Sequence, residues 1–226
     1  PDLKVHEGGK ERKITPQQIW DTSRRYQSYP VTVAIQYLRA RKIESIPKNW
    51  EPYLRVNDRG IIIPILTVSS LLNSINSSQF EIKKINTVHV KEDGQKRQYG
   101  KTNEPAMTIF PPPAADSNHS KMIVCEGFED ACSLSTLKEF KDFYFGVVHS
   151  KNNIPNTKHF AKSLDLKEVL IFADNDSDGR ALEISKKEQE NLSKISIKSI
   201  IYHPRSVGID ANKAHKEGKL KELFEE

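Results

Sequence analysis

The sequence predicts an α/β protein in which a parallel sheet with helices on both faces is preceded by a small basic α+β subdomain. Three observations carry this. From Met122 onward, short apolar runs alternate with segments of helical periodicity. A stretch of three prolines and small polar residues, Phe110-Pro-Pro-Pro-Ala-Ala-Asp-Ser-Asn-His-Ser, can continue neither a helix nor a central strand, so it divides the chain. The charge is uneven: residues 1–120 carry 18 Lys and Arg against 12 Asp and Glu, and residues 121–226 carry 17 against 18. The expected organisation is a basic α+β subdomain over 1–110, a linker over 111–120 and an α/β domain over 121–226.

Length and composition set outer bounds. A chain of 226 residues holds one large domain or two small ones. With 36% hydrophobic and 29% charged residues it is polar, yet well above the composition of disordered chains. No run approaches the ~20 apolar residues of a membrane span, and no basic-then-apolar leader is visible. The first residue is Pro, as expected of a fragment or a processed chain. Two cysteines, Cys125 and Cys132, make neither a disulfide framework nor a four-cysteine zinc site, which fits a reducing, cytoplasmic compartment.

In the first half, Thr15-Pro16 supplies a cap and first turn for a helix through about Tyr26. A second helix is expected from Val31 to Arg41, with Val33, Ile35, Tyr37 and Leu38 as its apolar surface. Ile61–Leu66 reads as a strand whose Pro64 argues for an edge or a bulge. Phe80 to Val90 alternates in part and leads into Glu92-Asp93-Gly94, a hairpin turn, with Lys96–Gly100 as the partner strand.

In the second half, Met122–Cys125 is a short buried strand. A helix with Phe128, Ala131, Leu134 and Leu137 on one face follows it. Phe143–Val148 is the next strand and Thr157–Leu164 the next helix. Val169–Ala173 is the strongest strand of the chain. A helix from Gly179 to about Ser193 carries a Glu183–Lys187 pair, then come a strand over Ile195–Tyr202 and a C-terminal helix ending near Phe224. Apolar strands alternating with helices imply a parallel sheet covered on both sides.

Ligands of such sheets bind at the C-terminal ends of the strands. Two acidic clusters fall there. Glu126-Gly127-Phe128-Glu129-Asp130 follows the first strand, and Asp174-Asn175-Asp176-Ser177-Asp178-Gly179 follows the third. Carboxylates held close together repel at a cost of kilocalories unless a cation intervenes. Hard oxygen ligands at an open edge suit Mg²⁺ or Mn²⁺. An EF-hand reading of Asp174, Asp176, Asp178 and Gly179 fails, because position twelve is Ser185 and a strand precedes the loop. An aspartyl-nucleophile phosphatase fails as well, since too few residues follow Asp178 for the rest of that fold. A helix-capping loop with solvated carboxylates is the bland alternative, and the second cluster at a corresponding strand end weighs against it.

This combination resembles the TOPRIM domain of primases, topoisomerases and some nucleases, with Glu126 at the end of its first strand and Asp174-x-Asp176 at the end of a later one. Gly208-Ile209-Asp210-Ala211-Asn212-Lys213 is similar to a Lys-Asp-Ala-Asn or Asp-x-Asn-Asp stretch of phage and plasmid primases, with Ile209 where many relatives have Lys. In the first half, Tyr37-Leu38-Arg39-Ala40-Arg41-Lys42-Ile43 resembles a Tyr-Leu-x-x-Arg-Gly-Ile segment that precedes TOPRIM in mobile-element primases, with Lys42 in place of its glycine. Gly60–Ile65 and Asp93–Gly100 resemble the strand and basic hairpin there. The resemblance implies the catalytic core of a DNA primase of the bacterial, phage or plasmid mobile-element type, a nucleotidyltransferase making RNA primers on a single-stranded DNA template from ribonucleoside triphosphates. A replicative helicase is an implied partner.

On that reading Glu126, Asp174 and Asp176 are catalytic and hold Mg²⁺ or Mn²⁺, with Asp178 as a further metal residue. Asp130, Asp210 and Asn212 support the site. Lys84, Lys96, Arg97 and Lys101 contact phosphates of template or nucleotide, although a solvated strand edge accounts for them equally well. The acids alone fit a TOPRIM nuclease too, in which the metals activate water. A non-enzymatic nucleic-acid-binding module is the third reading, opposed by the intact acidic set. Gly100-Lys101-Thr102 is no phosphate loop, because the glycine spacing is wrong and Pro105 blocks a following helix. The histidines show no metal spacing, and Cys125 reads as a core residue.

Overall fold

The computed structural model describes residues 3–7, 10–26, 33–58, 60–77, 81–89, 95–113 and 119–224. Two compact units divide the chain: Pro1–Arg39 with Trp50–Ala106, and Ala40–Asn49 with Met107–Glu226. The turn at Glu92-Asp93-Gly94 and part of the expected linker lie outside the described residues.

The first unit opens with an antiparallel pair, β1 (Leu3–Glu7) and β2 (Lys10–Ile14). Helix α1 (Pro16–Thr22) starts with a reciprocal cap: the Gln18 N–H donates to Thr15 Oγ1 at 3.2 Å, and the Thr15 N–H donates to Gln18 Oε1 at 2.9 Å. It stops short of the expected Tyr26 because the backbone turns extended at Ser23 and enters β3 (Arg24–Arg25). After α2 (Val33–Ala40) come β4 (Arg55–Asn57), β5 (Gly60–Thr67), α3 (Val68–Ser77), β6 (Lys84–His89) and β7 (Gln95–Gly100). Strands β3 to β7 pair antiparallel in sequence order.

This unit departs from expectation in two further places. β5 is no edge: it lies between β4 and β6, and every one of its residues is buried. Pro64 is tolerated on the β4 side because that ladder ends at Ile62, so the missing N–H breaks none of its bonds. Helix α3 has little sequence signal, since Val-Ser-Ser-Leu-Leu-Asn-Ser-Ile-Asn-Ser is rich in weak helix formers. Its start is fixed by Thr67, whose hydroxyl accepts the Ser70 N–H at 3.2 Å.

The second unit contains β8 (Ala106–Phe110), β9 (Lys121–Cys125), α4 (Phe128–Leu134), β10 (Tyr144–Val147), α5 (Thr157–Ser163), β11 (Glu168–Phe172), α6 (Arg180–Ser193), β12 (Lys198–Tyr202) and α7 (Ala211–Lys216). Its strands lie in the order β12-β11-β9-β10-β8. The first four are parallel, as the alternation of strands and helices requires, and β8 pairs antiparallel with β10. The sheet thus contains one strand more than expected, drawn from just before the prolines. All five residues of β8 are buried, and Thr108–Phe110 pair with β10, in keeping with a unit that begins at Met107.

The chain runs from β9 outward to β10, then back past β9 to β11 and β12. Right-handed crossovers put α4 on one face and α5 and α6 on the other. The strands accordingly bury successive residues, with Met122, Ile123, Val124, Val169 and Ile171 all inaccessible to solvent. Phe128 from α4 and Phe160 from α5 are also fully buried, each stabilising by roughly 2–3 kcal/mol. The C-terminal helix does not run on to Phe224. Gly218 adopts a left-handed φ of 75°, ends α7, and leads into a short 3-10 turn at Lys221–Leu223.

The segment Ala40–Asn49 belongs to this second unit through α7. The Lys42 ammonium donates to the Lys216 carbonyl at 2.6 Å, His215 Nε2 lies 3.0 Å from the Lys42 carbonyl, and Asn212 Nδ2 donates to the Arg41 carbonyl at 3.2 Å. Lys42 itself has a φ of 57°, the left-handed conformation that glycine adopts without strain.

Candidate active site

β9 and β11 are adjacent and parallel, so the residues that follow them emerge side by side at the C-terminal edge of the sheet. Glu126 follows β9 directly. Its carbonyl accepts the His149 N–H at 3.0 Å, which ties it to the end of β10. Asp174 lies two residues beyond β11, and the Ala173 N–H donates to the Tyr202 carbonyl of β12 at 2.9 Å. Four strands of one sheet thereby hold the backbone on which the acids sit.

The Asp-rich loop then turns sharply. The Gly179 N–H donates to the Asp176 carbonyl at 3.0 Å, and Gly179 is left-handed with open space where a side chain would be. Asp178 accepts the Arg180 N–H at 3.0 Å at the start of α6. Asn175 fastens this loop to the one after β12. Its amide donates to the Pro204 carbonyl at 2.7 Å, and its own carbonyl accepts the Gly208 N–H at 2.7 Å.

The supporting residues are brought together. Asp130, 6% exposed, accepts the Asn212 N–H at 3.0 Å, and Asn212 Nδ2 also reaches Ser133 Oγ at 3.0 Å. Asp210 caps α7 by accepting the Lys213 N–H at 2.6 Å. Thus the later motif is fixed to α4 and through it to the Glu126 cluster.

Asp174 feels all of these acids. Burial, and then the charges of Asp130, Glu126, Asp210 and Asp176, push its carboxyl up from 3.8 to about 8. Its Oδ1 is buried and has no hydrogen-bond partner. Asp178 moves the other way, held low by the Arg180 N–H and by Lys151.

Lys151 is a residue of this site that sequence reasoning misses. It stands in a 3-10 turn (Lys151–Asn156) soon after β10. Its ammonium donates to Asp176 Oδ2 at 2.6 Å and to the two oxygens of Asp178 at 3.1 and 3.0 Å. A signal was present: a lone cation four residues after β10, at the edge where two acidic clusters gather.

Among the described residues no group of three or more His, Cys, Asp or Glu side chains is disposed to hold a metal ion as it stands. The donor set nonetheless suits one. It consists of hard carboxylate oxygens, Asp174 Oδ1 is an orphaned acceptor, and a cation would offset the burial and the repulsion that raise the Asp174 carboxyl.

The basic candidates belong to the first unit. The register Lys84↔Gly100, Val88↔Lys96 and Thr87↔Arg97 puts Lys84 and Lys96 on one face of the β6–β7 hairpin and Arg97 on the other. Lys96, Arg97 and Lys101 are exposed, and Lys84 is half-buried, with burial lowering its ammonium. Lys101 follows Gly100, whose φ of 87° and tight approach to the Lys83 carbonyl and the Pro16 ring leave no room for a side chain.

The fold is that of a mixed α/β protein of primase-like architecture. The primase fragment of the bacteriophage T7 primase-helicase protein has this fold, with a TM-score of 0.50 and 13% identity over 79% of this chain and 69% of that one. The chain is also similar, at a TM-score of 0.46 and 12% identity over 90% and 89% of the two chains, to a structure of bacteriophage T7 lagging-strand DNA polymerase interacting with primase domains bound to an RNA/DNA hybrid and dTTP. No family model matches the sequence, and no curated protein does. Among the described residues no helix is long and apolar enough to cross a membrane.

Proposed function

We propose that this chain is the catalytic core of a DNA primase, a TOPRIM-type nucleotidyltransferase that makes RNA primers on single-stranded DNA. The observation that carries the reading is Asp174: a carboxyl at the C-terminal edge of a parallel sheet, with an unpartnered buried oxygen and the charges of Glu126, Asp130, Asp176 and Asp210 around it. Such crowding is unfavourable in a merely structural loop and useful in a site built for a cation.

On this reading Glu126, Asp174 and Asp176 hold Mg²⁺ or Mn²⁺, with Asp178 beside them. A divalent ion bound there neutralises triphosphate charge and lowers the pKa of the attacking 3′-hydroxyl. Glu126 and Asp174 are positioned by backbone bonds to β10 and β12, so neither needs to be ordered at the moment of reaction. Asp130 and Asn212 lock α4 to α7, and Asp210 fixes the start of α7, which keeps the later loop against the acids. Lys84 and Lys96 offer cations on a common hairpin face to template or nucleotide phosphates.

The test is incubation with single-stranded DNA, labelled ribonucleoside triphosphates and Mn²⁺. Oligoribonucleotide products support the reading. Shortened DNA assigns the same acids to a nuclease, and neither product leaves a binding module.

A further inference from the structure

The strand order gives Lys151 a particular place. In the sheet, β9 lies between β10 and β11. Lys151 comes from the end of β10, yet its ammonium rests on Asp176 and Asp178, which follow β11. The 3-10 turn that carries Lys151 packs against α6, so the chain passes the end of β9 and brings the ammonium to the loop between β11 and α6. The lysine side chain is only 22% exposed, so the cation is drawn in among the acids instead of projecting into solvent.

We propose that Lys151 is a built-in counter-ion: it holds Asp176 and Asp178 in place until a divalent ion is bound, then gives up Asp176 and turns its ammonium to the phosphates of the incoming nucleoside triphosphate. This rests on the metal-site reading above and assigns a residue that reading does not use. The physical basis is competition. An ammonium 2.6 Å from Asp176 Oδ2 already offsets that carboxylate's charge and repels a divalent ion brought up to the same group, so each cation weakens the other's hold. Lysine suits such an exchange because its ammonium is a point charge on a flexible stem, able to move without losing a planar fork of bonds. Its second partner, Asp178, retains the Arg180 N–H when the lysine leaves, so the loop keeps its shape.

Two affinities test this in the full chain. Calorimetric titration with Mn²⁺ should show Lys151→Met binding roughly threefold to fivefold more tightly than wild type, the upper range expected for removing an ion-pair competitor at a protein surface. A nucleoside triphosphate titrated in saturating Mn²⁺ should bind Lys151→Met more weakly by a similar factor. Lys151→Arg, which keeps the charge, should restore Mn²⁺ affinity to within about twofold of wild type. A loss of structure in Lys151→Met would weaken both ligands together, and far-ultraviolet circular dichroism reads it directly. Equal or weaker Mn²⁺ binding by folded Lys151→Met overturns the proposal, and so does tighter Mn²⁺ binding with unchanged triphosphate affinity. Absence of Mn²⁺ binding by wild type is a different result, and it overturns the metal-site reading itself.

Discussion

The carboxylate of Asp130, in the first turn of α4, accepts the backbone N–H of Asn212 in the first turn of α7 at 3.0 Å, joining two points 82 residues apart in sequence. Both residues are buried. The bond makes two of the supporting residues structural, because it holds the later loop against the acidic edge.

Asp130→Ala should therefore destabilise the protein by about 1–3 kcal/mol, the cost of leaving a buried N–H without its acceptor. Asp130→Asn retains a carbonyl oxygen and should lose less than half as much. Urea denaturation of the three proteins checks this. Equal stability of wild type and Asp130→Ala contradicts it.

Asp174 gives the chain a pH dependence. Its carboxyl titrates at about 8 in the fold against an ordinary 3.8, so the folded state holds a proton that the unfolded chain has released. That contribution is fully present below about pH 4 and is lost as pH rises through 8. In metal-free buffer, Asp174→Asn should melt close to wild type at pH 4 and progressively higher than wild type from there to pH 9. Excess Mg²⁺ should narrow the gap by favouring the charged carboxylate. A difference independent of pH contradicts the assignment.

Lys42 occupies a left-handed conformation that costs a non-glycine residue about 1–2 kcal/mol. Lys42→Gly removes that strain and loses only one exposed bond, to the Lys216 carbonyl. The net expectation is a gain of ~0.5–1 kcal/mol, with Lys42→Val clearly destabilised. Thermal melts decide the sign.

The hairpin face decides the fourth outcome. Lys84 and Lys96 share a face and Arg97 lies opposite. Lys84→Ala and Lys96→Ala should each weaken single-stranded DNA binding and lower the salt slope by ~0.7 for each phosphate no longer engaged, and Arg97→Ala should do neither. Wild-type slopes in all three variants would make the hairpin a solvated edge.

What the sequence reveals follows from locality. The apolar strands β9 and β11 and the acids after them are contiguous signals, so the parallel sheet and the places of Glu126, Asp174 and Asp176 are legible. Lys151 is not, because its meeting with Asp176 depends on β9 lying between β10 and β11, and strand order is a tertiary fact. Ala40–Asn49 reads as part of the first half for the same reason: its bonds to α7, and that from Asn49 to the Pro111 carbonyl, attach it to the second unit. Pro64 misleads because a missing N–H suggests an edge, when the short β4 ladder simply ends before it. Lys42, standing where the resembling pattern has glycine, hides a backbone requirement that the structure makes plain.

The most direct measurement is primer synthesis by wild type and Asp174→Asn on single-stranded DNA with ribonucleoside triphosphates and Mn²⁺. Asp174→Asn is expected to fold at least as stably as wild type at neutral pH, so lost activity cannot be ascribed to unfolding. The account predicts Mn²⁺-dependent oligoribonucleotides from wild type and a drop of about 100-fold or more in the variant, the scale of removing a group that stabilises transition-state charge. Equal product from both proteins, or product from wild type that is indifferent to Mn²⁺, would contradict it.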